Sequence, residues 1–321
     1  MSKLSIDLPQ ITETQRHFHP ENYILDENLQ GAVSVAIALN QPLLITGEPG
    51  TGKTRLAHKI AWDLSQSHPE FTSEPLIFNT KTTSVAQDMF YIYDALRHFH
   101  DANIKKNQMA EAPPTSDYIE LRAFGKALAL SNPEELQKGR FIQENMSKSS
   151  VVLIDEIDKA PRDFPNDILN EIENMEFEIK EAGNYKIKKG PDHRIVVIMT
   201  SNSEKNLPEP FLRRCVFYHI PFPEKEQLLQ IVESQLGERN DYADEKLIEH
   251  FEMIRSVIKK KKPATAELLA WLRILELHHF LDDSVNFNLL NSRQKKVLKM
   301  SYSVLAKDKN DLKNIETNFL K

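Results

Sequence analysis

Cysteine is almost missing from this 321-residue chain. Cys215 is the single one, so no internal disulfide can form, which fits a reducing compartment. An excess of positive charge is missing too: 41 Lys and Arg against 47 Asp and Glu leave a formal net charge of −6. That excludes a globally basic surface of the kind that advertises nucleic acid as the main partner, and leaves room only for a local basic patch. No apolar run approaches the length of a membrane span, and Met1-Ser2-Lys3-Leu4-Ser5-Ile6-Asp7 lacks the apolar core of a signal peptide. The expectation is a cytoplasmic protein without a membrane partner. The pairs His17/His19, His98/His100 and His278/His279 have no accompanying cysteine and no zinc spacing, so they are expected at the surface or in packing.

What is present is an ordinary soluble composition, 40% hydrophobic and 27% charged, over a length that suits two domains. The most specific stretch is Gly47-Glu48-Pro49-Gly50-Thr51-Gly52-Lys53-Thr54, which fits G-x-x-x-x-G-K-[ST]. Its context agrees with the pattern. Pro42-Leu43-Leu44-Ile45-Thr46 reads as a short apolar strand before it, and Arg55-Leu56-Ala57-His58-Lys59-Ile60-Ala61 as an amphipathic helix after it. In such a loop Gly50 and Gly52 let the backbone approach an anion, and successive N–H groups with the helix N-terminus hold phosphates. Lys53 is expected on the β and γ phosphates of a nucleotide, with the Thr54 hydroxyl on Mg²⁺.

In chain order, residues 1–20 are polar and weakly patterned and read as an arm. Leu29, Val33 and Ile37 give residues 27–39 helical spacing ahead of the phosphate-loop strand. Further β runs fall at 75–79, 151–154, 194–199 and 216–220, with a long, mostly helical excursion over 81–130 that is broken by a polar stretch at 107–117. Apolar strands alternating with helical stretches argue a parallel sheet covered by helices on both faces. After Pro221-Phe222-Pro223 the β signal stops, and 224–308 reads as several helices, which places a boundary near Pro223.

Val151-Val152-Leu153-Ile154-Asp155-Glu156 is an apolar strand ending in two acids, placed where ligands bind at the carboxyl edge of a parallel sheet. Beside a phosphate loop, Asp155 is expected to hold Mg²⁺ and Glu156 to polarise the attacking water. The strand at 194–199 runs into Thr200-Ser201-Asn202, and Leu207-Pro208-Glu209-Pro210-Phe211-Leu212-Arg213-Arg214-Cys215 sets two arginines just ahead of the last strand.

With these motifs the chain resembles the AAA+ ATPases over roughly residues 22–280, and within them the MoxR-like branch, which shares a helix-2 insert and a pre-sensor I hairpin with McrB-type and dynein-type members. The resemblance implies an α/β P-loop NTPase fold with a five-stranded parallel sheet, followed by an α-helical lid. It makes residues 47–54 the Walker A loop, Asp155 and Glu156 Walker B, and Asn202 sensor I. It makes Arg214 the arginine finger, with Arg213 a second candidate because it replaces the acid that relatives carry there. Asn79, at the end of the second strand, matches the polar residue that restrains the Walker B glutamate in family members.

The alternation of residues 177–188 around Gly183-Asn184 fits the hairpin of this branch, and the excursion near 81–117 fits its insert. The expected organisation is therefore an arm over 1–20, an α/β domain over 21–222 with a hairpin at about 177–189, and helices over 223–321. One position departs from the family: the lid arginine slot falls on Ala266, and Arg273, seven residues later, is about 10 Å further along a helix. The implied activity is Mg²⁺-dependent ATP hydrolysis by a homo-oligomeric ring, a hexamer, that remodels or activates a protein client or a von Willebrand factor A-type partner. Two other readings stand beside it: a McrB-type DNA-translocating motor using ATP or GTP, for which Lys180, Lys186, Lys188 and Lys189 offer a cationic hairpin, and a nucleotide-gated switch with little turnover.

Overall fold

A computed structural model of the chain describes residues 19–320, except 108–110, 204–206, 237–240, 283–284 and 288. The arm expected over 1–20 lies, up to residue 18, outside the described residues. Contacts divide the chain into two units: one comprises 25–47 and 53–220, the other 1–24, 48–52 and 221–321.

The first of these units opens with α1 (Glu27–Leu39), whose N-terminus is capped by the Asp26 carboxylate accepting from the Leu29 N–H at 2.8 Å. Then come β1 (Leu43–Gly47), α2 (Lys53–Ser67), β2 (Leu76–Asn79), β3 (Tyr91–Tyr93), α3 (Ala95–Asn107), β4 (Ile119–Leu121), α4 (Ala123–Ser131) and α5 (Pro133–Lys138). The unit closes with β5 (Ser150–Asp155), α6 (Phe164–Asp167), α7 (Leu169–Asn174), β6 (Glu176–Ile179), β7 (Tyr185–Lys188), β8 (Ile195–Ser201), α8 (Glu209–Leu212) and β9 (Val216–Ile220). Five strands form one parallel sheet in the order β2-β5-β8-β1-β9. Every residue of β1 and β8 is buried, and so are Ser150 to Ile154 of β5. Burial at each position rather than at alternate ones means that both faces of the central strands are covered, which is why they read as continuous apolar runs. Helices α1, α2 and α4 pack on this sheet.

The excursion after β2 is not purely helical. It contains β3 and β4, paired antiparallel from Tyr91↔Leu121 to Tyr93↔Ile119, on either side of α3. Strands of three residues carry no readable period, and tertiary contacts fix them. The Phe90 and Tyr91 rings stack on Phe177 of β6 with centroids 5.1 and 6.0 Å apart, and the Tyr91 hydroxyl donates to Glu181 at 2.8 Å. Helix α4 approaches so closely that a Cβ on Gly125 would lie 2.0 Å from the Phe90 carbonyl oxygen. Strands β6 and β7 form a separate antiparallel hairpin, with register Glu176↔Lys188 to Ile179↔Tyr185, and Gly183 (φ 74°) and Asn184 (φ 60°) turn the chain between them.

The second unit is helical beyond Pro221: α9 (Lys225–Leu236), α10 (Glu245–Val257), α11 (Thr265–Leu277), α12 (Ser292–Leu305) and α13 (Lys309–Phe319). Its core gathers Phe251, Trp271, Leu272 and Tyr302, all fully buried. Among the described residues no helix is long and apolar enough to cross a membrane.

Candidate functional site

The sheet order places the site. Strand β8 lies between β5 and β1, with Ile45 opposite Thr200 and Ile154 opposite Met199. The carboxyl ends of three neighbouring strands therefore deliver Gly47, the Asp155-Glu156 pair and Asn202 to one edge, the crevice where open α/β sheets bind ligands.

After β1 the chain leaves the extended region. Gly47, Gly50 and Gly52 have φ of 152°, 85° and 90°, conformations that a side chain resists. The Thr51 hydroxyl donates to the Glu48 carbonyl at 2.9 Å, closing residues 48–51 into a turn. Helix α2 then begins at Lys53, which is only 7% exposed. Its ammonium donates to the Gly47 carbonyl at 2.8 Å and to Asn202 Oδ1 at 3.0 Å, so the loop cation and the amide beyond β8 meet directly. The Thr54 hydroxyl sits 3.2 and 3.1 Å from the two Asp155 carboxylate oxygens. A hydroxyl and a carboxylate side by side are the hard oxygen donors that Mg²⁺ takes, the remainder of its shell coming from phosphate and water. The donor set fits that ion. No cluster of three or more His, Cys, Asp or Glu residues able to hold a metal occurs among the described residues, so an all-protein cage is not the alternative there.

Glu156 occupies the left-handed region, φ 56° and ψ 48°, which is uncommon for a residue with a side chain and recurs at functional sites. Two side chains hold it, and sequence reasoning singled out neither. The Thr200 hydroxyl accepts from the Glu156 N–H at 2.8 Å while donating to Asp155, so one buried β8 side chain braces both acids. The Glu156 carboxylate pairs with the Lys159 ammonium, and this bond raises the lysine above its ordinary range. Asn79, expected to restrain Glu156, is exposed at the end of β2 opposite Asp155, and no hydrogen bond joins it to Glu156 among the described residues. Thr200 had a visible signal, a polar residue closing an apolar strand. Lys159 had none, because only the turn after β5 brings it back.

The two arginines differ. Arg213 makes a loose, local pair with Glu209 at 3.4 Å, with the side chains 79% and 83% exposed. Arg214 is held from another element: its Nε lies 2.8 Å from Glu173 Oε1 of α7. Cys215 beside them is chemically quiet, since burial pushes its thiol up to about 12. Within the second unit, Arg255 of α10 pairs with Glu48 of the loop at 2.6 Å and lies 3.6 Å over the Phe222 ring. In the same unit a Cβ on Gly50 would stand 3.5 Å from the Ala266 Cβ, so the start of α11 reaches the loop without an arginine, and the cation there comes from α10.

A glycine loop between strand and helix, a buried lysine at its end, and a threonine beside a carboxylate of a neighbouring strand define a P-loop nucleotide-binding protein. Residues 43–223, more than half of the chain, match the family model of the ATPase family associated with various cellular activities (AAA), and the chain belongs to that family. It is similar to the Lon protease of Mycoplasmopsis agalactiae (strain NCTC 10123 / CIP 59.7 / PG2), 26% identical over an alignment of 224 residues, with 65% of this chain covered; the match spans only 18% of that protein's length. Among solved structures it is similar to domain III of the Thermotoga maritima replication initiation protein DnaA, at 14% identity and TM-score 0.43, covering 90% of this chain and 97% of that one. It is also similar to a point mutant of Thermotoga maritima RuvB, at 16% identity and TM-score 0.38, covering 89% of this chain and 79% of that one.

Proposed function

We propose that this protein is a Mg²⁺-dependent ATPase of the MoxR-like branch, working as a homo-oligomeric ring, a hexamer by its resemblance, that remodels or activates a protein partner. The observation that carries the hydrolytic part is the convergence of Lys53, the Thr54–Asp155 pair, Glu156 and Asn202 at three adjacent strand ends. Residues 47–52 and Lys53 bind the phosphates through backbone N–H groups and one ammonium. Thr54 and Asp155 would hold Mg²⁺, which when bound neutralises phosphate charge. Glu156 takes the proton of the attacking water, and Asn202 orients that water. Arg214 of a neighbouring subunit supplies the remaining positive charge, a contribution on the order of 10³ to 10⁵ in rate where such fingers act.

The branch and the partner role draw support from the insert and the hairpin. The β3-α3-β4 segment lies between β2 and β5 and the β6-β7 hairpin between β5 and β8, as the proposed branch would place them, and the Tyr91–Glu181 bond and the Phe177 stack join the two. Leu96 and Phe99, one helical turn apart on α3, stand 85% and 71% exposed, an apolar face suited to protein contact. The test is a pair of variants. Lys53→Ala should abolish ATP binding, whereas Glu156→Gln should keep binding and stop turnover. Wild-type turnover in Glu156→Gln would overturn the assignment of the base, and wild-type assemblies that bind ATP without turning it over would favour the switch.

A further inference from the structure

We infer that Glu173 is a positioning residue for the arginine finger, aiming Arg214 out of its own subunit toward the neighbour's nucleotide. This rests on the reading of Arg214 as a finger acting in trans. An arginine presents five N–H donors in a planar fork, and its two terminal nitrogens form one edge that can grip phosphate oxygens bidentately. Glu173 Oε1 lies 2.8 Å from Nε, the donor nearest the chain. A carboxylate at that end holds the side chain and leaves the two terminal nitrogens outside this contact. Arg213 has a different attachment: its contact is made through Nη2, one of the fork nitrogens, to Glu209, four residues back at the start of the short helix that Arg213 caps. Of the two arginines, Arg214 is the one braced at Nε by a separate element, which favours it over Arg213 as the finger.

The brace also has a meaningful address. Glu173 is the penultimate residue of α7, and the chain turns at Met175 (φ 51°) straight into β6, the first strand of the hairpin. The carboxylate that aims the finger therefore stands at the root of the hairpin proposed to meet the partner. Arg214 and Glu173 are 48% and 49% exposed, so the pair is a weak one and its effect on rate is modest.

The experiment compares wild type, Glu173→Ala, Arg214→Ala and the double variant, with assembly checked by sedimentation and steady-state ATPase read as kcat and KM separately. Holding a long side chain ready lowers the ordering cost at the transition state and leaves ground-state ATP binding alone. Glu173→Ala should lower kcat about twofold to fivefold, the range for a half-exposed ion pair, with KM for ATP unchanged. In the Arg214→Ala background the same substitution should have no further effect. Loss of turnover in Arg214→Ala with unchanged kcat in Glu173→Ala would overturn the positioning role alone. So would a kcat loss that persists in the Arg214→Ala background, since that is what a merely structural role produces. Full turnover by assembled Arg214→Ala would instead overturn the finger reading beneath it.

Discussion

Replacing Thr200 by valine, a near-isostere, should both loosen the fold and disarm the site, because one hydroxyl serves both acids. Thr200 is fully buried at the centre of the sheet, donates to Asp155 and accepts from the Glu156 N–H at 2.8 Å. Losing a hydrogen bond to a charged group costs about 1.5–3 kcal/mol, and stranding the Glu156 N–H costs about 1–3 kcal/mol more. The extra methyl of valine offsets about 0.8 kcal/mol of this. The net is about 2–5 kcal/mol, a drop of about 4–20 °C in the unfolding transition of a unit this size at about 2–4 °C per kcal/mol. Turnover should fall as well, since the bond from the Glu156 N–H to Thr200 helps hold its left-handed backbone. The assay is thermal unfolding with steady-state ATPase on wild type, Thr200→Val and Thr200→Ser. Serine retains the hydroxyl and should sit near wild type. A valine variant that melts within a degree of wild type and hydrolyses normally would refute the bracing argument, and a serine variant as damaged as valine would transfer the effect to the lost methyl.

Three further outcomes are expected. Lys159→Met should free the Glu156 carboxylate and raise basal ATP turnover about twofold to fivefold, the scale of an exposed ion pair, measured in the absence of any partner; an unchanged rate would show that the pair does not restrain the base. Burial pushes the His250 imidazole down to about 4 from 6.5, so the unfolded chain binds a proton in that window that the native helical unit does not. Stability should then fall as the pH drops from 6.5 to 4, by about 3 kcal/mol at 1.36 kcal/mol per unit, and His250→Phe should flatten this slope in unfolding curves taken across those pH values. Gly125→Ala should prevent α4 from docking on the insert, because its Cβ would meet the Phe90 carbonyl oxygen at 2.0 Å and backbone cannot give way cheaply; near-wild-type melting would contradict that.

The parts legible in the sequence are those coded by local pattern. The three central sheet strands appear as apolar runs because burial on both faces removes any alternation, and the phosphate loop is legible because φ near +90° at Gly50 and Gly52 admits little but glycine. The hairpin showed through its period of two and its Gly183-Asn184 turn. What was not legible is set by juxtaposition. Strands β3 and β4 are three residues each and exist through contacts with Phe177 and Gly125, far along the chain. Thr200, Lys159, Glu173 and Arg255 matter through the atoms they reach, at Asp155, Glu156, Arg214 and Glu48, and no spacing rule announces any of those meetings.

The hairpin lysines show the same logic bearing on the choice of partner. As a sequence, Lys180, Lys186, Lys188 and Lys189 form a cationic cluster that a DNA motor would use. In the folded hairpin Lys186 and Lys188 both pair with Glu176, at 2.9 and 2.8 Å, and together they hold its carboxyl below the usual carboxylate range. Lys189 turns inward and donates to the carbonyls of Gly190 and His193 at 2.8 Å, where burial lowers its pKa. Affinity for a phosphate backbone scales with the number of cations that exchange their counterions for it, and three of these four already have an intramolecular partner that DNA would have to displace. The neighbouring insert instead offers Leu96 and Phe99 to solvent at 85% and 71% exposure. Most of the hairpin charge is satisfied internally and apolar surface is left uncovered, which is the basis for proposing a protein partner rather than nucleic acid.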